Sequence, residues 1–180
     1  VTISDTTIAA SSLNTLDGNT TGVINANTIV TLTGSASAIN TAYAASNAGT
    51  ITGLGNEAVT INESISVAQF NNLAAYTTGA ITATIFASNM ATLAGINETG
   101  NSLTITITDL SISAADLNTI DAKTTVAVTA TVVTTIIGTA ADINTVYTAH
   151  AAGKITGLGN EAVTITDTIL SSSVLNGLNG

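Results

Sequence analysis

Four acids recur at matching places in this chain, each close behind a short β-rich start: Asp5 in VTISD, Glu63 in VTINE, Asp109 in ITITD and Asp167 in VTITD. A carboxylate repeated once per unit has two ordinary uses. It accepts backbone N–H bonds and caps the turn that follows, or it gives oxygen to a cation. Calcium takes about six or more oxygens, and the chain has neither an EF-hand loop nor the GGxGxD nonapeptide of calcium-binding β-rolls. Capping is therefore the expectation for Asp5, Glu63, Asp109 and Asp167. Calcium is the weaker alternative, and no other cofactor is expected.

A second series carries amides. Asn14, Asn40, Asn71, Asn118, Asn144 and Asn176 each follow the first apolar anchor of a helix-like segment. Their expected role is structural: hydrogen bonds to turn backbone that satisfy groups left unpaired by short helices. Other reagents are scarce. There is no Cys, one His (His150), and only two basic residues, Lys123 and Lys154, against a net charge of −9. The serines have no recurring His and Asp partners, so no catalytic residue is assigned and no enzymatic activity is expected. Two lysines cannot neutralise a row of phosphates, and an anionic lipid surface repels such a chain. No apolar run approaches the roughly 20 residues of a membrane span. Nucleic acid and membrane are therefore not expected partners.

The elements that must hold these residues follow from a repeat. ITGLGNEAVTI at Ile51 recurs unchanged at Ile155, a step of 104 residues, and the same step aligns the segments that begin at Val1 and Ile105 and at Gly34 and Gly138. In this alignment His150 stands opposite Ser46, so the imidazole is not part of the repeat, and it is expected at the surface on a helix end. A shorter repeat divides the long ones. The expected units are 1–58 and 59–104 in the first long repeat, then 105–162 and 163–180 in a truncated second one. The second unit is shorter, which fits loss of a helical insert equivalent to SASAINTAYAAS.

Short β-rich runs alternate with segments in which apolar residues recur at three or four positions. The pairs Leu13/Leu16, Ile39/Tyr43, Phe70/Leu73, Met90/Leu93, Leu117/Ile120, Ile143/Val146 and Leu175/Leu178 mark the helices. Ser, Thr, Asn or Asp often precedes them and Gly often follows, as caps require. GLGNEA matches neither a Rossmann nor a P-loop fingerprint and reads as a corner between strands. Elements this short are not stable alone, so neighbouring coils must bury them. The expected fold is one continuous α/β solenoid of stacked strand-turn-short-helix coils, with a parallel β-sheet on one face and short helices on the other. A composition of 45% apolar and 7% charged residues argues for folding rather than disorder.

The run LNTLDGNTTGVINANTIVTLTGSASAINTAYAAS, followed by ITGLGNEAVTI, resembles the Thr/Ala/Asn-rich tandem repeats of giant cell-surface proteins of marine cyanobacteria, adhesin-like or matrix-like polypeptides. The resemblance covers nearly the whole chain. It implies a secreted, repetitive protein at the cell surface and supplies no catalytic motif. Val1 opens in a strand pattern without a leader, as in an internal or processed segment.

Together these features predict a structural segment of an extracellular filament, surface coat or adhesin stalk. Its expected partner is itself, through head-to-tail stacking with further repeats or identical chains. The alternative is a repetitive face that binds polysaccharide, ice or a host surface, for which the Thr residues of TITIT (104–108) are the candidates.

Overall fold

The computed structural model describes residues 1–174 and is a mixed α/β protein with parallel strand pairing. The elements run β1 (Thr7–Ala9), α1 (Ala10–Asn19), β2 (Ile24–Asn25), β3 (Thr31–Gly34), α2 (Ala36–Ala48), β4 (Ile51–Thr52), β5 (Ala58–Ile65), α3 (Val67–Ala74) and β6 (Ile81–Ile85). They continue with α4 (Met90–Leu93), β7 (Ser102–Thr106), β8 (Ser111–Ser113), α5 (Ala114–Asp121), β9 (Val128–Thr129), β10 (Thr135–Gly138), α6 (Ala140–Ala151), β11 (Ile155–Thr156) and β12 (Ala162–Ile165). The chain divides into two compact units: unit 1 holds Val1–Ile85 with Gly100–Leu103, and unit 2 holds Phe86–Thr99 with Thr104–Gly180.

In unit 1, Ile8, Leu32, Val59 and Ile81 stand in successive register on β1, β3, β5 and β6. Ile24 pairs with Ile51 where β2 meets β4. Leu32, Val59, Ile81, Ile24 and Ile51 are buried, while Thr60, Thr82 and Thr84 point outward. The side-chain period of two thus sends one row of each strand into the core.

Unit 2 repeats this register. Ile112, Ile136 and Val163 align on β8, β10 and β12, and Ile105, Val128 and Ile155 align on β7, β9 and β11. Parallel neighbours need a crossover rather than a tight turn. Here the crossover from each of β1, β3, β5, β8 and β10 to its next partner contains a helix.

The helices arise where the apolar spacing predicts them. Leu13, Ile39, Tyr43, Phe70, Leu73, Leu93, Leu117, Ile120, Ile143 and Val146 are all buried, each such side chain adding about 1.5–3 kcal/mol relative to exposure. Ser35, Ser66, Asn89, Ser113 and Thr139 cap the starts of α2, α3, α4, α5 and α6, accepting from the backbone amide three residues on. Ser66 and Gln69 complete a capping box. Gly49 ends α2 in the left-handed conformation.

The shorter second unit of the sequence does not lose its helix. It retains α4, shortened to four residues where α2 has 13. The Leu175/Leu178 pair lies outside the described residues.

Candidate functional site

Three of the four repeated acids make the same contact, and it is not with the turn that follows them. Glu63 Oε1 accepts from the Ala36 amide at 3.0 Å, Asp109 Oδ2 from the Met90 amide at 2.6 Å, and Asp167 Oδ2 from the Ala140 amide at 2.7 Å. Ala36, Met90 and Ala140 are the first residues of α2, α4 and α6. Each carboxylate therefore reaches back 27, 19 or 27 residues to an orphan N–H at a helix start. Negative charge is favoured there by the helix dipole and by charge-assisted bonding. Asp5 is exposed, and among the described residues its carboxylate accepts no hydrogen bond. No three His, Cys, Asp or Glu side chains converge among the described residues.

The other repeated constellation is a Tyr–Glu corner. Tyr43, on the buried side of α2, donates its hydroxyl to Glu57 Oε1, while Glu57 Oε2 accepts from the amides of Gly55 at 2.7 Å and Asn56 at 3.1 Å. In unit 2, Tyr147 donates to Glu161 Oε1 at 2.5 Å, and Gly159 and Asn160 fill the other oxygen. The Gly-rich turn makes this possible. Gly53 and Gly55 have φ of 91° and 129°, values that only glycine adopts readily.

Burial, then the adjoining Glu57 carboxylate, raises the Tyr43 phenol far above its ordinary pKa of 10.0; burial, then Glu161, raises Tyr147 likewise. Burial pulls Glu161 upward, but the bonds from Tyr147, Gly159 and Asn160 outweigh it, leaving the carboxyl below its ordinary 4.5.

In unit 1 this corner is closed. Tyr76 stacks on Tyr43 at 5.2 Å between ring centres, and the Thr77 hydroxyl donates to the Glu57 carbonyl at 2.6 Å. The apolar spacing reads Tyr43 as a helix anchor, and the hydroxyl partners of Tyr43 and Tyr147 escape it. The signal available was that Tyr and Glu recur together at the 104-residue step.

The asparagines divide by position. Asn14 Nδ2 donates to the Ala38 carbonyl at 2.8 Å, and Asn118 Nδ2 to the Asp142 carbonyl at 3.0 Å, so each joins its helix to the backbone of the next helix. Their Oδ1 atoms are buried without a partner. Asn40 and Asn71 are half-buried and Asn144 is exposed, while Asn176 lies outside the described residues.

Many threonines act similarly. The hydroxyls of Thr28, Thr33, Thr52, Thr134 and Thr156 donate to the carbonyls of Ile3, Ile8, Ile24, Leu110 and Val128, 24 to 28 residues earlier.

His150 sits in the last turn of α6, half-buried, with Nδ1 2.9 Å from the Ile155 carbonyl; a proton on Nδ1 makes that bond. A shallow groove of about 440 Å³ in unit 2 is lined by Asp121, Thr124, Thr125, Val126, Gly153 and Lys154. Burial raises the Asp121 carboxyl and the Lys154 charge opposes that shift. The contacts repeated in both units run from a side chain to backbone, as for Asn14 and Asn118, or from side chain to side chain, as for Tyr43 with Glu57 and Tyr147 with Glu161. No known protein family, curated protein or solved structure matches this chain.

Proposed function

We infer that this chain is a structural repeat segment of an extracellular filament, surface coat or giant adhesin stalk. Its coils form an α/β solenoid that holds length and spacing rather than carrying out catalysis. One observation carries the reading. In unit 1, β1 to β3 and β3 to β5 step 24 and 27 residues, and in unit 2 β8 to β10 and β10 to β12 step the same distances. Steps of similar length, recurring in the same order with parallel register, are what axial stacking of similar coils requires. The acid caps and the Thr and Asn bonds add one connection after another between successive coils. Neither a metal nor a cofactor is part of this reading, and the resemblance to cyanobacterial surface repeats supports placement outside the cell.

Electron microscopy of the native material and of a tandem of this segment tests it. Rods whose length grows in proportion to the number of 104-residue repeats are expected. Compact particles whose diameter grows only slowly with repeat number would remove the reading.

A second reading has its own observation. Thr33, Thr60 and Thr82 stand in register across β3, β5 and β6, with Thr60 and Thr82 exposed, an arrangement that suits a flat polar ligand such as polysaccharide or ice. Ile137 holds the corresponding place of Thr33 on β10, which interrupts the row in unit 2. Retention on insoluble glycans or inhibition of ice recrystallisation, lost in Thr60→Val, would favour this reading.

A further inference from the structure

Unit 2 repeats the corner and strand of unit 1 but leaves them in a different environment. Val59 is fully buried, and its counterpart Val163 is 41% exposed. Glu57 and Tyr43 are buried, whereas Glu161 and Tyr147 are half-buried, as is Ile165 where Ile61 is buried. In unit 1 the cover is visible. Tyr76 stacks on Tyr43, Thr77 bonds the Glu57 carbonyl, and β6 pairs with β5 in the register Val59 to Ile81 and Thr60 to Thr82. The Val59 amide donates outward to the Ala80 carbonyl at 3.0 Å, while the Ala58 amide donates inward to Val30. In unit 2 the amides of Ala162 and Thr166 bond the carbonyls of Thr134 and Gly138. Strand alternation therefore turns the Val163 amide to the opposite edge.

We propose that the outer edge of β12, with Tyr147 and Glu161 beside it, is a docking surface for one more coil of this repeat within the same polypeptide, having the chemistry of Tyr76–Ile85. That coil brings an aromatic ring to Tyr147, a hydroxyl to the Glu161 carbonyl, and an Ile-x-Ala-x-Ile strand parallel to β12. This assignment rests on the structural-repeat reading above.

The occupant follows from three observations. First, Ile155–Ile165 is identical to Ile51–Ile61, so the surface presented is the one that Tyr76–Ile85 covers in unit 1. Second, paired strands in both units lie only 20 to 27 residues apart in sequence, so the strand next to β12 in this pattern is the one that follows it by such a step. Third, the approach is selective. A Cβ on Gly79 would lie 2.2 Å from the Glu57 carbonyl oxygen, so the covering turn needs glycine there, which an arbitrary edge-seeking strand lacks. A second copy of this chain is a poorer occupant, because its own Tyr76–Ile85 is already engaged within its unit 1.

The test is to replace Gly180 by an additional Tyr76–Asn101, which keeps the spacing of Glu57 to Tyr76, and follow amide hydrogen exchange by NMR. The Val163 amide is expected to slow at least about tenfold relative to the 180-residue chain, with the extended protein monomeric. Ile81→Asp with Ile85→Asp in the added copy alone should restore the original rate, while unchanged exchange at Val128 and Ile136 reports that the rest of the fold is intact. Two outcomes overturn the assignment: no slowing at Val163 in the extended chain, or concentration-dependent slowing in the unextended chain with dimer formation, which makes a second copy the occupant. Failure of the filament reading looks different, because compact tandems that still protect Val163 separate the two.

Discussion

Tyr43 and Glu57, fourteen residues apart, are joined hydroxyl to carboxylate beneath the ring of Tyr76, and Tyr147 and Glu161 repeat the bond one long repeat later. The first pair is the more deeply buried, so the two bonds should differ in worth. Tyr43→Phe leaves a buried carboxylate short of one donor and should cost about 1.5–3 kcal/mol. Tyr147→Phe should cost less, since water reaches Glu161. Urea denaturation of both variants measures the difference.

The same bonds set the alkaline behaviour. Both phenols have folded pKa values above the unfolded value of 10.0. Their contribution to stability is therefore full below pH 10 and declines as the pH rises beyond it. Absorbance at 295 nm should show Tyr43 and Tyr147 ionising above the range of free tyrosine, together with loss of the fold. A normal titration of both at pH 10 in the folded protein would contradict the burial described.

At the acid end the sign reverses. Glu161 has a lowered folded pKa, so its contribution is present above the unfolded value of 4.5 and is lost as pH falls through the lower folded value. Glu161→Gln should flatten stability against pH in that window. Thermal melts from about pH 2 to about pH 6, which bracket an ordinary carboxyl, provide the comparison.

The acid caps make a graded prediction. Glu63→Ala and Asp167→Ala each remove a helix cap and should cost about 1 kcal/mol. Asp5→Ala, at the corresponding place but with no bond to its carboxylate among the described residues, should change stability by less than about 0.5 kcal/mol. Equal effects at all three positions would show that the charge matters rather than the helix contact. A chelator should leave the melting temperature unchanged.

Core register is tested at Ile3 and Ile107, which are 7% and 1% exposed. Lys at either position buries an unpaired charge at a cost of several kcal/mol and should abolish cooperative unfolding. Retention of the parent transition by circular dichroism would count against this register.

The sequence revealed those features that depend on local pattern. Leu13, Phe70 and Ile143 sit where helical spacing puts them, and Ser66 with Gln69 is readable as a cap because its bonds span three residues. GLGNEA is a corner because its glycines have to be. The partners of Glu63, Asp109 and Asp167 were not readable. An acid just behind a strand start looks like the cap of its own turn, and its true partner stands 27, 19 or 27 residues back. Likewise Tyr43 fits an apolar helix face, and nothing near it in sequence announces Glu57. The shortening of α4 to one turn was hidden because loss of residues and loss of a helix look alike in an alignment.

The threonine bonds described above have a consequence for how the chain is made. These hydroxyl bonds reach back 24 to 28 residues, and the bond from Thr50 Oγ1 to Asp17 Oδ2 spans 33. A chain whose contacts are this local has low contact order and little loop entropy to overcome at any step. Each segment can lay its strand, helix and hydroxyls onto the one synthesised just before it, without waiting for distant parts of the polypeptide. Growth during synthesis then proceeds by templating, and adding further length does not make folding harder.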